Sequence, residues 1–353
     1  MNNTRWPQTK PLPTFLMALK LSLVVVGICS YSPSINAHSV HHEHDKSPEK
    51  KSQNRTTGHQ QQIDTLVKRY SLNGDDALLA QGWSLLKPNL TSNNLTPHDL
   101  LQAAWLSQAE HKFDTALIYI DKALQKHPRN VQAWLLRASI YTVQGNAAAA
   151  RHACQQVSLD VSPVVAIACS SRLANTQLEK QQAFDRLKPL IKLPLDPDLK
   201  AWVNSIAADL ARDSNQTEHA DTLYRLSIKH FPSIQVRAAY ADLLLSQARN
   251  EEVMHMIDSH EKTPALAVRR LLAAHASGLD IHQELNRLDQ LFRSWAKNND
   301  FRHAREMAMF YLELGNDPQL AYKLATENIK IQQEAEDIQI LQKAQAQASG
   351  VSS

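Results

Sequence analysis

Residues 97–130 place small, aromatic and proline side chains in an order that leaves few folds open to this chain. Counted from Pro97 as the first place, Ala116 is twentieth, Ala123 twenty-seventh and Pro128 thirty-second in a unit of 34 residues. A second unit opens at Val131, with Trp134 fourth, Tyr141 eleventh, Gly145 fifteenth and Ala150 twentieth. A period of this length marks a unit that stacks on copies of itself.

Local chemistry makes each unit a pair of helices. Thr96 can cap a helix, Pro97 suits its first turn, and Asp99 stands three residues beyond the cap, so a helix is expected from Pro97 to about Ala109. In the next stretch Phe113, Ala116, Leu117, Ile120, Ala123 and Leu124 recur at helical spacing, until Pro128 forbids continuation. One such pair cannot bury its apolar face alone, so neighbours must share a continuous core.

Further copies keep the period more loosely. From Ala201, the twentieth, twenty-fourth and thirty-second places hold Ala220, Tyr224 and Pro232, and 240–257 follows as another pair. Pairs are also expected at 165–197, at 264–297 and at 301–334, the last with Gly315 at its turn and Pro318 opening its second helix. Residues 335–348 fit a closing helix with a polar outer face, and 63–70 with 76–86 fit a divergent first pair.

This pattern resembles the tetratricopeptide repeat (TPR) family over residues 61–349, most closely in the units that start at Pro97 and Val131. The resemblance implies an all-α fold: an α-solenoid of about seven antiparallel helix pairs wound into a right-handed superhelix. It also implies a concave groove lined by the second, fifth, ninth and twelfth places of each first helix. Those places hold His98, Leu101, Trp105 and Gln108; then Gln132, Leu135, Ser139 and Thr142; then Trp202, Ser205, Asp209 and Arg212. TPR domains that hold acidic chaperone tails carry lysine, asparagine and arginine at several such places. This chain departs from that set, so the groove is expected to take an apolar or helical segment of a protein or peptide partner. The competing reading of Trp105 and Trp202 is that they pack between helices.

Residues 1–37 differ from the rest. Arg5, Lys10 and Lys20 are their only charges, an apolar run spans 21–29, and Ile35-Asn36-Ala37 offers a small-residue cleavage site. This is the pattern of a secretory signal, with a retained membrane anchor or a lipoprotein site at Cys29 as alternatives. Without this segment, 35 of the 38 basic residues remain against 35 acidic ones, and the formally neutral chain lacks the basic footprint of a nucleic-acid or anionic-lipid binder. Export, and a periplasmic destination in particular, is the expectation, with no stable membrane insertion after cleavage.

Two of the three cysteines, Cys154 and Cys169, follow that segment. In TPR-like stacking they fall on adjacent helices, and an oxidising compartment favours a disulfide between them over two buried thiols. Residues 38–60 form a polar tract expected to be a disordered linker. His38, His41, His42 and His44 within it carry nitrogen donors suited to weak binding of copper, nickel or zinc, which makes a metal-handling protein the runner-up. No cofactor is otherwise expected. The chain has eight glycines, no two closer than Gly74 and Gly82, which excludes a Walker loop, a dinucleotide fingerprint and a nucleophile elbow. A non-catalytic scaffold or adaptor is the leading expectation.

Overall fold

The computed structural model describes residues 58–91, 95–157 and 163–350. Among them the only regular elements are 17 helices. Eight antiparallel pairs follow one another: α1 (Gly58–Asn73) with α2 (Asp76–Leu90), α3 (Pro97–Ala109) with α4 (Phe113–Lys126), α5 (Val131–Val143) with α6 (Ala147–Val157), and α7 (Pro163–Ser171) with α8 (Gln177–Ile191). Then come α9 (Pro197–Asp213) with α10 (Thr217–His230), α11 (Ile234–Ser246) with α12 (Asn250–Met256), α13 (Pro264–Ala276) with α14 (His282–Lys297), and α15 (Ala304–Glu313) with α16 (Pro318–Ile329). A single helix, α17 (Ala335–Ala348), follows. The chain is an all-α helical repeat solenoid.

The expected start signals operate as anticipated. Thr96 Oγ1 accepts the Asp99 N–H at 3.1 Å and Asp99 Oδ2 accepts the Thr96 N–H at 2.9 Å, a reciprocal cap that fixes the start of α3. Two boundaries differ from expectation. Asp196 Oδ1 accepts the Leu199 N–H at 3.0 Å and Pro197 sits in the first turn, so Pro197 opens α9 rather than closing the unit before it. Likewise Ser233 caps α11 through the Val236 N–H, which starts that helix at Ile234 instead of 240 and completes an eighth pair.

Packing runs along the stack without a break. Ala103, Ala104, Ala116 and Ala123 are fully buried where α3 and α4 meet. Gly82 of α2 lies so close to α3 that an added Cβ would stand 2.9 Å from Leu106. Helix α5 gives Ala133, Leu136 and Ile140 to the core beneath α1–α4 and Leu135 and Ala138 to the core that continues through α13. Helix α13 repeats this sharing, with Leu266 and Ala273 on one side and Val268 and Leu271 on the other. A disulfide joins Cys154 of α6 to Cys169 of α7, as the pairing of adjacent helices requires.

The stack curls until its two ends touch. Thr263 Oγ1 donates to the Asn73 carbonyl at 3.0 Å and Arg237 to the Leu72 carbonyl at 2.7 Å. Lys68 pairs with Asp198 at 2.7 Å and Arg302 with Asp76 at 2.8 Å. At a second seam the Gln333 N–H donates to the Val143 carbonyl at 2.7 Å, and Gln332 Nε2 lies 2.7 Å from Nδ1 of the buried His111. Burial lowers the His111 pKa to about 3, so its ring is neutral and Nδ1 accepts from the Gln332 amide. The expected accessible inner wall is therefore covered by the chain itself. No helix among the described residues is long and apolar enough to cross a membrane.

Candidate functional site: the enclosed inner wall

The first helices of the pairs line the inside, and closure decides what each residue there can do. Trp105 is 6% exposed, with Tyr70 of α1 edge-on to its indole at a centroid distance of 6.0 Å. Leu135 is fully buried in the central core, and Gln108, Ser139 and Trp202 are buried as well. Leu101 is half-buried against the first core. The expectation that these side chains front an open groove is corrected: the two tryptophans pack into the cores between neighbouring helices of the stack. His38, His41, His42 and His44 lie outside the described residues. The 38–60 tract is partly structured all the same. Helix α1 begins at Gly58, and Gln60 Nε2 donates to Asp99 Oδ1 at 3.0 Å.

Thr142 and Asp209 are the two groove residues that share a cavity, of about 310 Å³. Its walls come from the α5–α6 turn, the α7–α8 connection, the inner face of α9, and the segment leading into α17. Leu173, Ile206 and Leu210 form its apolar side, while Arg172, Lys180, Asp209, Asp213 and Glu334 bring charge.

A chain of buried ion pairs surrounds this space. Lys180 Nζ reaches Asp213 Oδ2 at 2.7 Å, and Arg212 Nε and Nη2 both reach Asp213 Oδ1 at 3.0 Å. Arg212 Nη1 stands 3.8 Å from Asp209, whose Oδ1 accepts the Tyr224 hydroxyl. On the opposite wall Arg305 grips Glu334 at 2.7 Å and both oxygens of Asp337, at 2.7 and 2.6 Å. Glu336 is 1% exposed, and neither of its carboxylate oxygens has a hydrogen-bond partner among the described residues.

Burial governs the protonation of these acids. It pushes Asp209 up to about 6 against the pull of Arg212, and Glu334 up to about 7 against that of Arg305. Glu336 is raised well above the usual carboxyl range by burial and then by the neighbouring Glu334.

Sequence reasoning passed over Arg172, Lys180, Arg305, Glu334 and Glu336. Residues 334–337 fall at the start of a helix expected to turn its polar face outward. Instead Glu336 and Asp337 point inward, each 1% exposed. The signal is the pair of adjacent acids just after the capping position, since neighbours in a helix lie about 100° apart and one of two adjacent acids readily falls on the inward side.

No family model matches the chain, and no curated protein matches it. Among solved structures, a tetratricopeptide repeat protein from Parabacteroides merdae is 17% identical, with 81% of this chain and 99% of that one covered and a TM-score of 0.38. Yeast Tom70 is 15% identical, with 93% of this chain and 70% of that one covered and a TM-score of 0.43. Superpositions at that level carry no argument, and the repeat architecture rests on the chain's own helix pairs.

Proposed function

We propose that this chain is an exported adaptor without chemistry of its own, which binds a partner protein or peptide on its inner wall when the seam between its ends opens. The observation that carries this reading is the character of the seam. Within the stack, neighbouring pairs are held by buried alanine, leucine and aromatic side chains. At the seam Lys68–Asp198, Arg302–Asp76 and a few hydrogen bonds to backbone carbonyls join distant repeats, with small apolar contacts such as Gly74 against Ile234 beside them. Exposed ion pairs contribute only about 0–1 kcal/mol each, so the seam is the weakest joint in the molecule. Its opening would widen access to the half-buried Leu101 and the inner helix faces around it for a helical or apolar segment. Periplasmic residence is part of the proposal and draws support from the signal-like first 37 residues and from the disulfide.

The test is photo-crosslinking in the native envelope from a reactive amino acid at Leu101. Lys68→Glu with Arg302→Glu sets like charges against Asp198 and Asp76, and should raise the yield of one defined crosslinked partner severalfold. An unchanged yield, with X-ray scattering showing that the ends have parted, would remove the inner wall from consideration.

A further inference from the structure

The cavity beside α9 is present in the closed form described above, so its chemistry does not depend on a partner docking to the opened wall. At about 310 Å³ it has the size of a site for a small organic molecule. Leu173, Ile206 and Leu210 offer a wall for a short methylene stem. Charge is what the surroundings leave unbalanced.

Five carboxylates, those of Asp209, Asp213, Glu334, Glu336 and Asp337, gather here against four cations, Arg172, Lys180, Arg212 and Arg305. The short ion pairs of Lys180, Arg212 and Arg305 are also unevenly shared. Lys180 and Arg212 both spend their short contacts on Asp213, and Arg305 spends its own on Glu334 and Asp337. Arg212 comes no closer to Asp209 than 3.8 Å, and neither oxygen of Glu336 has a hydrogen-bond partner among the described residues. A buried carboxylate without a cation is costly, and it either keeps a proton or acquires a counter-charge. The upward displacement of Asp209, Glu334 and Glu336 is the first of these outcomes.

We propose that the cavity binds a small organic cation, an alkylammonium or alkylguanidinium, whose charge lies against Asp209 and Glu334 and whose stem lies on Leu173, Ile206 and Leu210. An anionic ligand could not draw a proton off these acids, and would need cations that Asp213, Glu334 and Asp337 already engage. A bare metal ion would leave the apolar wall unused.

Calorimetry on the full chain at pH 7 and fixed ionic strength decides this, with n-butylguanidinium and n-butylammonium as probes and butyrate and n-butanol as controls of the same stem. The cations should bind with Kd at or below about 1 mM, and neither control should give binding heat. Comparison of buffers with different ionisation enthalpies should show release of about one proton per cation bound, as a carboxyl gives up its proton to the incoming charge. Asp209→Asn and Glu334→Gln are isosteric, and each should weaken cation binding by about tenfold or more. Butyrate binding as tightly as the cations, no heat from either cation up to about 10 mM, or unchanged affinity in both variants would overturn the proposal.

Discussion

Glu336 carries the clearest consequence at the scale of single residues. A carboxyl whose folded pKa lies above its unfolded value keeps a proton that the unfolded chain releases, so it favours folding at low pH and ceases to do so as pH rises through the folded value. For Asp209, raised from 3.8 to about 6, and Glu334, raised from 4.5 to about 7, that window runs from about pH 4 to pH 7. Urea midpoints should therefore fall between pH 5 and pH 8. Glu336→Gln should recover on the order of 2 kcal/mol at pH 8 and much less at pH 5, because a neutral amide no longer strands a buried charge. Equal gains at both pH values would show that Glu336 does not titrate as described. Asp99 works in the opposite sense. Burial pushes it up, but hydrogen bonds from Thr96, Gln60 and Asn89 outweigh this and hold it below its ordinary value, so its contribution is lost on strong acidification.

Individual helices were the most legible level in the sequence, because their signals are local. Thr96, Pro97 and Asp99 announce α3 within four residues, and Pro318 opens α16 as expected. The turns inside pairs were read only where glycine stood. Gly145 has φ of 72°, yet in the unit before it the same fifteenth place is His111 at φ 59°, and in the α9–α10 turn it is Asn215 at φ 58°. These non-glycine residues take the left-handed conformation at a cost that the surrounding helices offset. The bond from α6 to α7 is the one covalent brace among these elements. With a sequence separation of 15 between its cysteines, it should contribute about 3 kcal/mol by limiting the unfolded chain. Cys154→Ala with Cys169→Ala should lower the unfolding free energy by about that amount under oxidising conditions. An unchanged urea midpoint would mean that the reduced pair packs equally well.

At the scale of the whole molecule, closure was hidden from sequence reasoning. Serial stacking follows from a period, whereas the meeting of Gln333 with Val143, or of Arg237 with Leu72, joins residues far apart that share no periodic mark. The helices that carry the groove residues follow from the period, whereas the exposure of each side chain depends on how neighbouring repeats pack. Thr142 and Asp209 remain beside open space because the cavity lies between the α5–α6 turn and the approach to α17. Trp105, Gln108, Leu135, Ser139 and Trp202 are buried, and Leu101 is half-buried.

Contact between Asn73 and Thr263, and between Val143 and Gln333, changes how the array should come apart. In a linear stack the outermost repeats have one neighbour and fray first. Here α1 and the lead-in to α17 each rest on distant repeats as well, which turns a row into a loop of mutual supports. Amide hydrogen exchange should therefore find α1 and the first turn of α17 as slow as α9, and the Lys68→Glu/Arg302→Glu variant should quicken α1 selectively. If α1 exchanges fastest in the unaltered protein, the loop is not closed in solution. If it does not, loosening one joint is felt on the far side of the molecule.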